Sequence, residues 1–270
     1  MSGSLERGDQ LAILRQNLDG LRAKRAYNQL EYYRPYAKQR AFHAAAGPKE
    51  RRRERLLIAA NQVGKTLCAG AEVAIHLTGM YPDWWEGIVF EKPTVWWCAG
   101  ITGESTRDNP QRILMGRKRE YGTGMIPHRL IKGAPTLARG VPDLLDSFAV
   151  HHTTGGTSYC WFKSYEKGRE KAQGETLHGA WLDEEPPLPF YTEVLTRTNR
   201  YRGPIMLTFT PLLGMSEVVR RFLRPSDRVV SGGDVDEDLA REINATRIPI
   251  GNATRVRVAF LSLDQEQSFR

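Results

Sequence analysis

Near the N-terminus Leu11, Leu14, Leu18 and Leu21 recur at spacings of three and four with charges between them, which predicts a helix over 4–32. Pro35 interrupts it, and "YYRPYAKQRAFHAAAG" resumes as a second helical stretch reaching Gly47. The charge-dense "PKERRRER" (48–55) reads as a solvated connector or a DNA contact. The pattern then changes. "RLLIAA" is a short unbroken apolar run, predicting a buried strand, and "GKTLCAGAEVAIHLTG" predicts a helix stopped by Gly79. "YPDWWEG" is a turn with aromatic anchors, and "TVWWCAG" (94–100) is a second strand. "STRDNPQRILMGRKREYG" predicts a helix after Pro110 that carries Arg112, Arg117, Lys118 and Arg119. "SFAVHHTTGGTSYCWFKSY" alternates on both sides of Thr154-Gly155-Gly156 and predicts a hairpin. "LHGAWLDEEPP" supplies a strand followed by a helix through "FYTEVLTRT", and "GPIMLTFTPLLG" supplies a strand and a loop.

Strands alternating with helices imply an α/β domain with a largely parallel sheet. The expected organisation is an N-terminal helical segment (1–29), an α/β domain (30–225) and a polar tail (226–270) that repeats N-A-T-R at 244–247 and 252–255. "VRVAFLSLDQEQ" in the tail has the pattern of a strand ending in Asp264, and a lone Asp does not make a nuclease.

Composition narrows the classes. Charged residues make up 26% and hydrophobic residues 40%, the balance of a soluble globular chain. The formal net charge of +8 favours a polyanionic partner such as nucleic acid, or an anionic membrane surface. Cys68, Cys98 and Cys160 are odd in number and lack a C-x-x-C pair, so they read as buried thiols and not as a disulfide or zinc framework. No apolar run approaches a membrane span, and "MSGSLERGDQ" does not resemble a signal peptide, so a cytoplasmic location is expected. The N-A-T triplets at Asn244 and Asn252 are accordingly read as chance sequons.

The strongest chemical signal is Ala59-Ala60-Asn61-Gln62-Val63-Gly64-Lys65-Thr66, one residue from the phosphate-loop pattern G-x-x-x-x-G-K-[ST], between a predicted strand and a predicted helix. Such a loop turns backbone N–H groups toward phosphates at a helix N-terminus. Lys65 would reach the β and γ phosphates, Thr66 would place its hydroxyl on Mg²⁺, and Gly64 lets the backbone approach closely. Ala59 takes the place of the first glycine, at the strand end. A second acidic site is required, and "GAWLDEE" provides it. Asp183 is the metal-side carboxylate and Glu184 the residue that polarises the attacking water, with Glu185 a rival for the second role. "LTFTP" (207–211) ends a strand in hydroxyls suited to sensing the γ-phosphate.

Together these segments resemble the ATPase domain of the phage terminase large subunit, over roughly 30–225. "PYAKQRAFHAA" is similar to the family's adenine-recognition segment, with Gln39 in the glutamine position, and "AANQVGKT" to one branch's P-loop. "TGMYPDWWEG", "WWCAGITGESTRDNPQRILMG", "SYEKGREKAQGE", "WLDEEPP" and "TFTPLLGMS" resemble successive further blocks. The resemblance implies an additional-strand, RecA-like P-loop NTPase fold with a mostly parallel central sheet flanked by helices, and ATP and Mg²⁺ as ligands. It also implies a homo-oligomeric ring on a portal protein, acting on double-stranded DNA with a small terminase subunit. Carried over, Lys65 and Thr66 bind phosphate and metal within a loop of Ala60, Asn61, Gln62, Val63 and Gly64. Asp183 is the Walker B carboxylate, Glu184 activates water and Thr210 lies in the coupling motif. Two departures stand out. Asn61-Gln62 and Gln173-Gly174 occupy places where many relatives carry an arginine. Arg169 is therefore the candidate for the transition-state arginine, acting on a neighbouring subunit, with Lys171 and Arg107 as rivals. The family's nuclease domain is not expected within 226–270. The competing functions are a nucleotide-binding remnant that does not translocate and a helicase-like nucleic-acid ATPase.

Overall fold

The computed structural model describes residues 2–58, 64–167, 175–209, 217–222 and 255–259. Its frame is one sheet of β1 (Glu54–Ile58), β2 (Val95–Gly100), β3 (Ile131–Leu137), β4 (Leu145–His151), β5 (Thr157–Ser164), β6 (Gly179–Asp183), β7 (Ile205–Phe209) and β8 (Arg255–Ala259). The spatial order is β3-β4-β5-β2-β6-β7-β1-β8. Pairings from β5 through to β8 are parallel, and β4 runs antiparallel to both β3 and β5. A mostly parallel mixed sheet results. β6 and β7 are buried along their whole length, as strands covered on both faces must be, and so they read as apolar runs.

Around the sheet lie α2 (Ala37–Ala44), α3 (Lys65–Thr78), α4 (Gly103–Thr106), α5 (Arg112–Met115), α6 (Leu188–Arg197) and α7 (Glu217–Phe222), whereas α1 (Ser2–Ala26) leaves Leu11, Leu14, Leu18 and Leu21 exposed. Strand periodicity divides the core in two. Trp96, Cys98, Trp181 and Met206 pack with α3 on one face, whereas Trp97, Ala99, Leu182 and Leu207 pack with Phe190, Tyr191 and Val194 of α6 on the other. Residues 68–78 of α3 are all buried. Its small side chains permit this: a Cβ on Gly70 would stand 2.3 Å from Ile113 Cγ2. The three cysteines are buried free thiols, as expected.

A charged group lies inside this core. The Arg55 and Glu72 side chains form an ion pair with neither exposed. Arg55 also donates to the Phe42 carbonyl at 2.7 Å, and His43 Nδ1 lies 2.7 Å from Glu72 Oε2. The cluster therefore joins β1, α2 and α3. Burial would push the Glu72 carboxyl up, but the Arg55 charge and the His43 hydrogen bond hold it well below the usual range.

Three sequence expectations are corrected. The N-terminal helix ends at Ala26, not 32, and a short 3₁₀ turn covers Gln29–Tyr32. Helix does not begin after Pro110. It begins at Gly103 and passes through Pro110 in a π-type turn over Arg107–Gln111, because proline has no N–H for the regular ladder. It stops at Met115 before Gly116 (φ 96°), so Arg117, Lys118 and Arg119 lie beyond the helix, and Lys118 pairs with Asp143. Finally, the charged run 48–55 is not a solvated connector throughout, because Glu54 and Arg55 open β1 and are both buried. β3 lies at the sheet edge, which tolerates its Pro135.

Candidate functional site

Every predicted site residue that is described comes from one end of the sheet, where the parallel strands finish. Residues 59–63 follow β1, and Gly64 opens α3 with φ 82°, a left-handed conformation that suits a residue without a Cβ. Lys65 and Thr66 are the first two residues of α3 and are half-buried. Burial lowers the Lys65 ammonium, and the charges of Glu184 and Asp183 oppose this, so the lysine sits in the field of both carboxylates. The side chains predicted to grip phosphate and to activate water thus meet at one locus, although long stretches of sequence separate them.

Gln39 is buried on α2. Its Oε1 accepts from the Tyr36 N–H at 3.0 Å, and its Nε2 donates to the Gly64 carbonyl at 3.1 Å. The expected adenine-side glutamine is therefore tied directly to the phosphate-loop end.

Asp183 is the last residue of β6 and only 4% exposed. Thr208 Oγ1, on adjacent β7, donates to Asp183 Oδ1 at 2.8 Å and accepts from the buried Trp181 indole N–H at 2.7 Å. Burial pushes the Asp183 carboxyl up to about 7. Thr208 opposes the rise, Glu184 adds to it, and Lys65 and a hydrogen bond from Asn109 oppose it. Asn109 is carried on the π-type turn, a distortion that recurs at functional sites.

Glu184 follows with φ 63°, rare for a side-chain-bearing residue, and its N–H donates to the Thr208 carbonyl at 2.8 Å. The next residue differs: Glu185 Oε1 is buried with no hydrogen-bond partner among the described residues, and burial raises its carboxyl. Arg107, one of the rival arginines, pairs with Asp108 (Nε to Oδ1 2.8 Å) and donates to the Pro142 carbonyl at 3.1 Å. Ala60, Asn61, Gln62, Val63, Arg169, Lys171 and Thr210 lie outside the described residues.

Sequence reasoning missed Asn109, Thr208, Trp181 and Tyr165. Thr208 lay within the strand ending that drew attention to Thr210, two residues on. Nothing in the sequence marks the other three, because their roles come from strand adjacency and from the π-type turn.

Comparison with known proteins points to one family. The family model described as "Terminase large subunit, T4likevirus-type, N-terminal" matches residues 56–257. The terminase large subunit of Salmonella phage P22 is 44% identical over 215 residues, covering 71% of this chain and 42% of that protein. The corresponding protein of Enterobacteria phage LP7 is 36% identical over 134 residues, 46% of this chain and 27% of that one. The chain thus spans less than half the length of these relatives. Among solved structures, the large terminase ATPase domain of Thermus phage P74-26 superposes with a TM-score of 0.52 at 20% identity, covering 76% of each chain. A point mutant of that domain gives 0.53 at 18% identity over the same shares. At these identities the likeness carries the fold.

Proposed function

The chain belongs to the terminase large subunit family, and on that premise we propose that it is the ATP-hydrolysing motor domain of a phage or prophage terminase, coupling hydrolysis to translocation of double-stranded DNA into a procapsid. The observation that carries this is the placement of Lys65, at the start of a buried helix, in the field of Asp183 and Glu184 at the end of β6. A helix N-terminus with a lysine and a hydroxyl suits a polyphosphate. Among the described residues no group of three or more His, Cys, Asp or Glu could hold a metal unaided. One buried carboxylate near a hydroxyl-bearing turn instead suits a hard cation that shares phosphate oxygens and keeps its waters. Bound Mg²⁺, held by Thr66 and Asp183, would supply neutralisation of charge on the β and γ phosphates.

In the proposed reaction Glu184 orients a water in line with the γ-phosphorus and accepts its proton, and ADP departs as the bridging P–O bond breaks. Lys65 follows the charge onto the leaving oxygens. An arginine from a neighbouring subunit, with Arg169 the candidate, completes the charge balance and makes the active form a ring. Double-stranded DNA, bound without sequence preference, the portal protein and the small terminase subunit are the proposed partners, in the host cytoplasm. No helix among the described residues is long and apolar enough to cross a membrane. Arg112, Arg117, Lys118 and Arg119 are all exposed, which supports them as phosphate contacts.

Turnover of ATP by the purified chain tests the reading. Glu184→Gln should cut Mg²⁺-dependent turnover by about 10²-fold or more, whereas Glu185→Gln should leave most of it. Nucleotide binding without Mg²⁺-dependent turnover would overturn the catalytic assignment. A rate per subunit that does not rise with protein concentration would overturn the trans arginine.

A further inference from the structure

We infer that Tyr165 is a positioning residue for this reaction: its phenol holds the Asp183–Glu184 peptide in the kinked conformation that fixes Glu184 against the nucleotide site. The inference rests on the ATPase reading above. In an extended strand successive carbonyls point to opposite sides. At the end of β6 they converge. The Tyr165 hydroxyl lies 3.0 Å from the Asp183 carbonyl oxygen and 3.1 Å from that of Glu184, with the Ala99 carbonyl of β2 at 3.4 Å. Two consecutive carbonyls meet one hydroxyl here, where Glu184 is left-handed at φ 63°. A glutamate adopts that conformation at a cost in free energy, so it persists where neighbours over-determine it. The Glu184 N–H is fixed by the Thr208 carbonyl, and the Tyr165 hydroxyl fixes the carbonyl side.

The donor is itself well placed. Tyr165 follows β5, two strands from β6, so its side chain reaches across the end of β2 to touch the catalytic peptide. Its ring is buried and packs edge-on against Phe190 of α6 with centroids 5.0 Å apart. Burial and the neighbouring Asp183 and Glu184 charges push the phenol well above its ordinary value, so it remains a donor at any physiological pH. A phenylalanine would keep the packing and lose only the bond to the kink.

Steady-state and single-turnover hydrolysis by Tyr165→Phe in the full chain tests this. The expected result is a kcat lowered about tenfold or more while KM for ATP and the affinity for a fluorescent ATP analogue stay within about twofold, the signature of a lost transition-state interaction. A purely structural role would instead lower the melting temperature and degrade binding and turnover together. Adding Tyr165→Phe to Glu184→Gln should cost little further turnover, because both act through one carboxylate. Wild-type kcat in Tyr165→Phe, parallel loss of binding, or full additivity with Glu184→Gln each overturns the inference. If Tyr165→Phe does not fold, Phe190→Leu, which keeps the hydroxyl but loosens its ring, is judged by the same criteria. The two readings fail separately: a wild-type chain indifferent to Glu184→Gln sinks the ATPase assignment, and an active chain indifferent to Tyr165→Phe sinks only the positioning role.

Discussion

The proposed reaction requires Asp183 to be charged where the fold buries it, and these demands conflict. With its carboxyl raised to about 7, chiefly by burial, the folded chain holds a proton between these values that the unfolded chain, titrating at about 4, has lost. The sign follows from linkage: this contribution to stability is complete below the unfolded value and is lost as pH rises through the folded one. Asp183→Asn, whose side-chain oxygen can still accept from Thr208, should therefore melt several degrees above the wild type at pH 8 without nucleotide. At pH 4, near the unfolded value, it should melt close to it. Calorimetry at the two pH values decides, and a variant that is less stable at both would refute the account. The same substitution should abolish Mg²⁺-dependent turnover, so stability and activity would move in opposite directions. Gly64 gives a second residue-scale expectation. Its φ of 82° and the Gln39 Nε2 lying 3.0 Å from where a Cβ would stand mean that Gly64→Ala strains the loop and disturbs Gln39 together. ATP affinity should fall about tenfold, read by titration of a fluorescent analogue.

Among the elements, α2, α3 and β1 are joined by charge as well as by apolar packing. Removing Glu72 would leave the Arg55 guanidinium buried without its ion pair, so Glu72→Ala should cost about 3–5 kcal/mol in urea unfolding. The volume-matched double replacement Arg55→Met/Glu72→Leu should cost markedly less, and equal losses would argue against the pairing. This cluster leaves no local signal in the sequence. Arg55 closes the basic run "PKERRRER" and looks solvated, and Glu72 is one acid inside an apolar helix whose partners come from two other elements. By contrast α3, β6 and the β4–β5 hairpin were legible, because periodicity and the stops at Gly79 and Gly155-Gly156 are local signals. The helix over 103–115 was half legible: Pro110 reads as a boundary unless its tertiary setting, a π-type turn, is known. The same turn brings Asn109 to Asp183, so the feature that defeated the pattern also supplies part of the site.

For the whole molecule, the site is a consequence of sheet order. β6, β7 and β1 are neighbours, so three carboxyl ends converge on the space in front of α3, although the sequence separates them widely. Motif order disclosed this arrangement only through resemblance to a family. Periodicity yields strands and helices but not which strands are adjacent. Because the proposed ligand would bridge α3, β6 and α2, it should stabilise the entire fold. ATP with Mg²⁺ at about 100 times its Kd should add about 2.7 kcal/mol, raising the melting temperature by several degrees. Chelation of the metal should reverse most of that rise, and an unchanged melting temperature would mean that nucleotide does not bind the folded chain. The far end of α3 offers a way to watch this. His76 stacks on Trp96 with ring centroids 5.2 Å apart and 11° between planes, and the Trp85 ring stands edge-on at 5.4 Å. Burial keeps that imidazole low, hence neutral and a weak quencher at physiological pH. The helix whose first residue would hold phosphate thus ends among indoles, and any shift of α3 under load should appear as a change in intrinsic tryptophan emission, without a label.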